Sequence, residues 1–257
     1  MSSTPARRAG AFHLAADASV AAGRFPPPVY VAVGASETVG IGSDDPLNDA
    51  WPQVLLRRSL PPGTCLFNLG IPGATVEEAI AAELPQALRH RPDIVTVWLN
   101  VNDLVAGVPA EVYERQLRSL VAPLRRHGNA TVLLANTPPL DWLPAYLMVL
   151  ALAPPPGVTD AGEQWSVPSP DEVTSAVASY NEAIARVAED EGLVLVDLHA
   201  AVSRARAEGL EATLVSADGF HPSSAGHAAA AEVFAAAARA TGWTGSTGST
   251  GLAGSTG

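Results

Sequence analysis

Five short apolar runs recur along the chain, each followed by a polar or glycine-containing turn and most of them then by a longer segment with apolar residues at helical spacing. The runs are 29–33, 64–69, 94–99, 131–135 and 193–196. They are near-continuous rather than alternating, which is the pattern of strands covered on both faces. Helical periodicity is read over 49–58, 76–90, 110–127, 171–191, 198–206 and 223–240. In 110–127, for example, Val112, Leu117, Leu120, Val121 and Leu124 fall on one face. Asp49 is placed to cap the first of these helices, with Pro52 in its first turn, and Pro85 predicts a kink in the second. Strands alternating with helices predict an α/β fold, a three-layer α/β/α sandwich around a five-stranded parallel sheet.

The pattern divides the chain into parts. Residues 1–28 form a leader expected to pack loosely or stay disordered. It carries Arg7 and Arg8, but His13 and Asp17 interrupt the apolar core a signal peptide needs, and Pro26 to Pro28 close it off. Residues 29–240 form the domain. Within it, 137–170 breaks the rhythm with eight prolines and two tryptophans, Trp142 and Trp165. So long a connection reads as a lid or pocket wall, because Leu143, Tyr146, Leu147 and Met148 need something to cover. The apolar stretch 143–153 is too short to span a bilayer and contains Pro144. A cytoplasmic location is the expectation, and the sequence says nothing of oligomeric state. Residues 241–257 repeat Thr-Gly-Ser and read as a flexible tail.

Charge narrows the partners. Asp and Glu outnumber Lys and Arg by 26 to 15, a net charge of -11. That argues against nucleic acid, whose phosphates need clustered cations. Only 16% of residues are charged and 5% aromatic, within a hydrophobic fraction of 47%. The single cysteine, Cys65, lies in an apolar run and reads as a buried small hydrophobe. No Cys/His spacing suited to a metal appears, and Gly34 to Gly40 lacks the lysine of a phosphate loop.

In a doubly wound parallel sheet the carboxyl ends of all strands open onto one edge, where ligands bind. Four loops converge there: Ser36 after the first strand, Gly70 to Gly73 after the second, Asn102 after the third, and Asp218 with His221 before the last helix. Ser36 alone reads as a helix cap. Together the loops offer a nucleophile, a base, a carboxylate and candidate oxyanion donors, the set that acyl transfer needs.

Four blocks in this order, Val33-Gly-Ala-Ser36, Asn68-Leu-Gly-Ile-Pro-Gly-Ala-Thr75, Asn100-Val-Asn-Asp103 and Asp218-Gly-Phe-His-Pro222, resemble the signature blocks of the SGNH hydrolases, the GDSL-type esterase/lipase family. The resemblance spans residues 29–234 and implies the SGNH, flavodoxin-like arrangement of the sheet. It implies Ser36 as nucleophile, His221 as general base and Asp218 as its orienting carboxylate. It also implies an oxyanion hole from the N–H groups of Ser36 and Gly73 and the side-chain amide of Asn102. Two positions depart from the family pattern: Ala35 stands where the family has aspartate, and Val101 where it has glycine.

Asp103 is expected to brace its loop, His227 to lie on the helix surface or behind the site, and Glu37, placed where it could line the site, to be a solvated loop residue instead. Asp197 competes with Asp218 as partner of the histidine. Val101, Trp142, Leu143, Tyr146 and Phe220 are the expected pocket residues. The substrate implied is a small ester with an apolar acyl or alcohol group, cleaved without cofactor or metal. Carbohydrate deacetylation, acyl transfer to an alcohol, and a non-catalytic binding module on the same fold are the alternatives.

Overall fold

A computed structural model describes residues 26–128, 130–153 and 167–243. Most of the leader, the 154–166 part of the proline-rich connection with Trp165, and nearly all of the tail lie outside the described residues.

Five strands form one sheet: β1 (Val29–Gly34), β2 (Cys65–Asn68), β3 (Ile94–Trp98), β4 (Thr131–Ala135) and β5 (Val194–Val196). Every pairing is parallel, in the order β2-β1-β3-β4-β5. The chain leaves β1 for one edge and then crosses back to β3. A crevice therefore opens at the carboxyl ends of β1 and β3, where the winding reverses.

Alternation along each strand sends successive side chains to opposite faces. Val31, Val33, Val95 and Val97 face a core built with helices Val76–Ala82, Leu84–His90, Ala110–Gly128 and Pro170–Glu191. Tyr30, Ala32, Ile94 and Trp98 face a second core built with Trp51–Ser59, Leu198–Ala207 and Ser224–Ala240. There Trp51 stacks on Phe234 with ring centroids 4.2 Å apart. The central strands β1 and β3 are buried almost throughout, as their apolar runs predict.

The structure corrects several expectations. Cys65 is exposed, because β2 is an edge strand with alternate residues left open to solvent. Asp49 ends a separate short turn, Pro46–Asp49, and the helix from Trp51 starts at Ala50 without a side-chain cap. Around Pro85 the expected kink is a break into two helices, with Pro85 in the first turn of the second. The connection after β4 contains a helix, Pro144–Leu152, that its prolines and lack of polar alternation hide from the sequence. Its Leu147 and Met148 are exposed among the described residues. Among the described residues, no helix is long and apolar enough to cross a membrane.

Candidate active site

The turn after β1 begins the site. Ser36 is the first residue of a single helical turn, Ser36–Val39, preceded by Ala35, so it does not cap that turn. Gly34, at the strand end, has no room for a side chain: a Cβ there would lie 2.0 Å from Thr38 Oγ1 and 2.9 Å from the Trp98 carbonyl. The turn ends at Gly40 (φ 101°), and Gly42 (φ 94°) then passes behind the histidine loop. A Cβ on Gly42 would come within 2.4 Å of the Pro222 carbonyl and 2.8 Å of His221 Cβ.

The histidine loop is fixed from within. Val215 and Pro222 bridge in antiparallel fashion, and Ser216 and His221 are joined by a backbone bond of 2.9 Å. Asp218 Oδ1 accepts from Ser216 Oγ (2.7 Å), the Phe220 N–H (2.8 Å) and the His221 N–H (2.9 Å). Asp218 Oδ2 accepts from His221 Nδ1 at 2.7 Å. Partial burial acts to raise the pKa of Asp218, but these donors outweigh it and hold the carboxyl well below the ordinary range. It is therefore ionised at neutral pH. With Nδ1 donating to that carboxylate, the neutral imidazole presents its lone pair at Nε2. Ser36 Oγ lies 2.9 Å from Nε2 and donates to it. The sequence-predicted serine, histidine and aspartate thus form one hydrogen-bonded chain.

Asp197 is not a rival partner for the histidine. It caps helix Leu198–Ala207 by accepting from the Ala200 N–H and also accepts from the Asn136 amide.

The loop after β2 runs beside the turn of Ser36, with the Ile71 N–H donating to the Gly34 carbonyl at 3.0 Å. Gly73 has φ 82°, a left-handed conformation that favours glycine, and open space where a Cβ would sit. Backbone conformation by itself accounts for glycine here. The Gly73 N–H makes no hydrogen bond among the described residues. Asn102 sits in the helical turn Val101–Val105 and donates one amide hydrogen to the Ala74 carbonyl at 2.9 Å, which leaves a second for a ligand. Asp103 accepts from the Val76 N–H with both oxygens and so braces this loop. Burial pushes its carboxyl up to about 6.

Ser36 and His221 open into a cavity of about 320 Å³ with an overwhelmingly apolar wall. Of the expected pocket residues, Val101, Trp142, Leu143 and Phe220 line it, and Tyr146 does not. Tyr146 packs beside Leu143 and donates its hydroxyl to the Pro168 carbonyl. Trp142 is held by an indole bond to Pro139 and by Arg206, which lies over its ring and pairs with Asp141. The cavity extends under helix Leu198–Ala207, past Ala201, Val202 and Ala205, towards Ala230 and Val233. Sequence reasoning missed this extension. The small residues at helical spacing in 198–206 were its one legible trace.

Glu37 differs from expectation, and His227 takes the second of its two expected places. Glu37 lines the cavity half-buried and is no solvated loop residue; its Oε2 lies 3.4 Å from Ser36 Oγ. Burial pushes its carboxyl up to about 7, against hydrogen bonds from neighbouring backbone amides. His227 is fully buried behind the site, with Nε2 donating to the Ile41 carbonyl. Burial lowers its pKa, so it is neutral.

The sequence pattern of the GDSL-like lipase/acylhydrolase family matches residues 32–229. An arylesterase of Vibrio mimicus is 29% identical over 107 residues, 40% of this chain and 53% of that protein. The chain thus matches about half the length of this curated relative. Among solved structures, an acetylxylan esterase from Geobacillus stearothermophilus superposes with a TM-score of 0.61 at 24% identity, covering 82% of this chain and 93% of that one. A lipase/acylhydrolase from Enterococcus faecalis gives 0.60 at 18% identity, covering 83% and 96%. At these identities the structural likeness concerns the fold.

Proposed function

This chain belongs to the GDSL-like lipase/acylhydrolase family, and from that premise we propose that it hydrolyses carboxylic esters through an acyl-enzyme on Ser36. The observation that carries the reading is the Ser36–His221–Asp218 chain, with links of 2.9 and 2.7 Å, at the mouth of an apolar cavity.

In the first half-reaction Ser36 Oγ attacks the carbonyl carbon and its proton passes to His221 Nε2. Asp218 holds the ring by Nδ1 and stabilises the imidazolium that forms. The carbonyl oxygen becomes an oxyanion, facing the N–H groups of Ser36 and Gly73 and the free amide hydrogen of Asn102. Collapse of the tetrahedral intermediate breaks the bond to the alkoxy oxygen, which takes the proton from Nε2 and leaves as the alcohol. Water then repeats the sequence, giving its proton to His221, and the acid departs as Ser36 regains its hydrogen. No step needs a further group.

The apolar wall supports a substrate with an apolar acyl or alcohol portion. Against a binding module that merely keeps the fold stands the intact proton path. Ser36→Ala is expected to lower kcat for a short p-nitrophenyl ester by about 10⁴-fold or more, with circular dichroism and Tm close to wild type. The wild-type protein is expected to be labelled once, at Ser36, by an organophosphonate, as read by mass spectrometry. Wild-type turnover in Ser36→Ala would sink the mechanism.

A further inference from the structure

We propose that Glu83 is a positioning residue for the nucleophile: it clamps the turn that carries Ser36 and fixes the distance of that turn from the donors on the Gly73 loop. This rests on the reading of Ser36 as nucleophile.

Neither of the two residues before Ser36 offers a side-chain acceptor to hold the turn from that side, and the turn's own Glu37 lies after the serine. Ala35 carries none, and Gly34 admits no side chain. The carboxyl that reaches it comes from 49 residues further on: the Gly34 N–H donates to Glu83 Oε2 at 2.9 Å. Glu83 is only 1% exposed, and its Oε1 has no partner among the described residues. Burying a carboxyl costs free energy unless it is hydrogen-bonded, so its presence under the nucleophile calls for a reason beyond packing.

The covalent context supplies that reason. Glu83 follows directly on helix Val76–Ala82, whose other end begins at the Gly73-Ala74-Thr75 loop. That far end is fastened three times: by the reciprocal Thr75–Glu78 capping box, by the Val76 N–H on Asp103, and by Asn102 on the Ala74 carbonyl. The helix is therefore a strut. One end carries the proposed oxyanion donor Gly73 and is tied to the second, Asn102, through the Ala74 carbonyl, and the other holds the backbone two residues before Ser36. At about 1.5 Å per residue it spans roughly 10 Å.

The protonation state suits this task. Burial, reinforced by the nearby Glu37, pushes the Glu83 carboxyl up to about 8, against the pull of the Gly34 N–H. At neutral pH it is an uncharged acceptor that puts no negative charge beneath the forming oxyanion. A glutamine has the same shape and accepts the same bond. A leucine keeps the bulk and leaves the Gly34 N–H unpaired. An aspartate is a methylene short of reaching it.

The test uses full-length wild-type protein, Glu83→Leu, Glu83→Asp and Glu83→Gln. Turnover of a p-nitrophenyl ester is counted per site labelled by organophosphonate, so that unfolded molecules drop out. Glu83→Leu is expected to lower kcat per labelled site by about tenfold or more, since small misplacements of reacting groups are costly, with KM moving less than about threefold. Glu83→Asp should show the same split, and it serves alone if the leucine variant does not fold. Glu83→Gln should restore kcat to within about threefold of wild type. Wild-type kcat per labelled site in both the leucine and aspartate variants would overturn the proposal. So would a glutamine variant as impaired as the leucine variant, because acceptance of the Gly34 bond would then be irrelevant. Failure of the wild type itself to be labelled or to turn over would instead overturn the nucleophile reading.

Discussion

The two faces of the sheet share the same strands and are filled differently. On one face, Leu117, Leu120, Tyr113 and Ile184 pack at zero exposure against Val31, Val33, Val95 and Val97. Large side chains meet large side chains, and Tyr113 stacks on Tyr180. On the other face, an aromatic cluster of Trp51, Trp98 and Phe234 is flanked by alanines of helix Ser224–Ala240. There the space beneath helix Leu198–Ala207 is left unfilled and runs out to Ser36. Three layers thus divide the work: one face holds the sheet, and the other leaves room for a ligand.

That contrast is sharpest where a side chain is removed from the packed face. Leu120→Ala should cost about 2–5 kcal/mol of stability, a large part of the total for a domain of this kind. Chemical denaturation checks this, and kcat per labelled site should stay within about twofold. Adding bulk to the open face should do the reverse. Ala201→Leu places three more carbons against the cavity at a partly exposed position. It should change stability by less than about 1 kcal/mol, yet lower kcat/KM for octanoyl relative to butyryl esters by about tenfold or more, the low end of what one methylene is worth in a hydrophobic pocket. An unchanged chain-length profile would mean that the acyl chain does not enter the cavity.

The smallest effect concerns pH. The Glu37 carboxyl on the open face is raised from 4.5 to about 7 by burial. Between those values the folded protein holds more of this proton than the unfolded chain does. Its contribution to stability is therefore complete below about pH 4.5 and is lost as pH rises through about 7. Tm measured across this window should fall less steeply, by a few degrees, in Glu37→Gln than in wild type. Parallel curves would show that the carboxyl titrates normally. The glutamine amide cannot act as a carboxylate competing with His221 for the Ser36 proton, so any alkaline decline in kcat owed to that competition should vanish with it.

The sequence pattern predicted much of the packed face and less of the open one. β1, β3 and β4 were legible because central strands of a doubly wound sheet are apolar on both sides. Cys65 was misplaced because four residues of an edge strand read much like a buried run, and only the sheet order shows which side is bare. Ser36 and Asn102 were legible as polar residues just past strand ends, and Asp218 and His221 as a pair in the loop before the last helix; the structure brings the serine, aspartate and histidine into one chain. Glu37 and Glu83 were not, since a carboxyl in a loop or at a helix end looks solvated until a fold closes over it. The cavity is a property of the distance between two helices, which no local pattern encodes. Tyr146 was assigned to the pocket by its neighbours in sequence, but the helix it lies on turns it towards Pro168.

Gly42 carries one more implication. It wedges against His221 and Pro222, so the first strand-and-turn unit and the last loop of the domain are in contact through bare backbone. In the proposed mechanism the nucleophile and its base lie 185 residues apart in sequence. On that reading Ser36 gains its base only once the loop of His221 has been made and has seated against Gly42, and labelling of Ser36 would report that event.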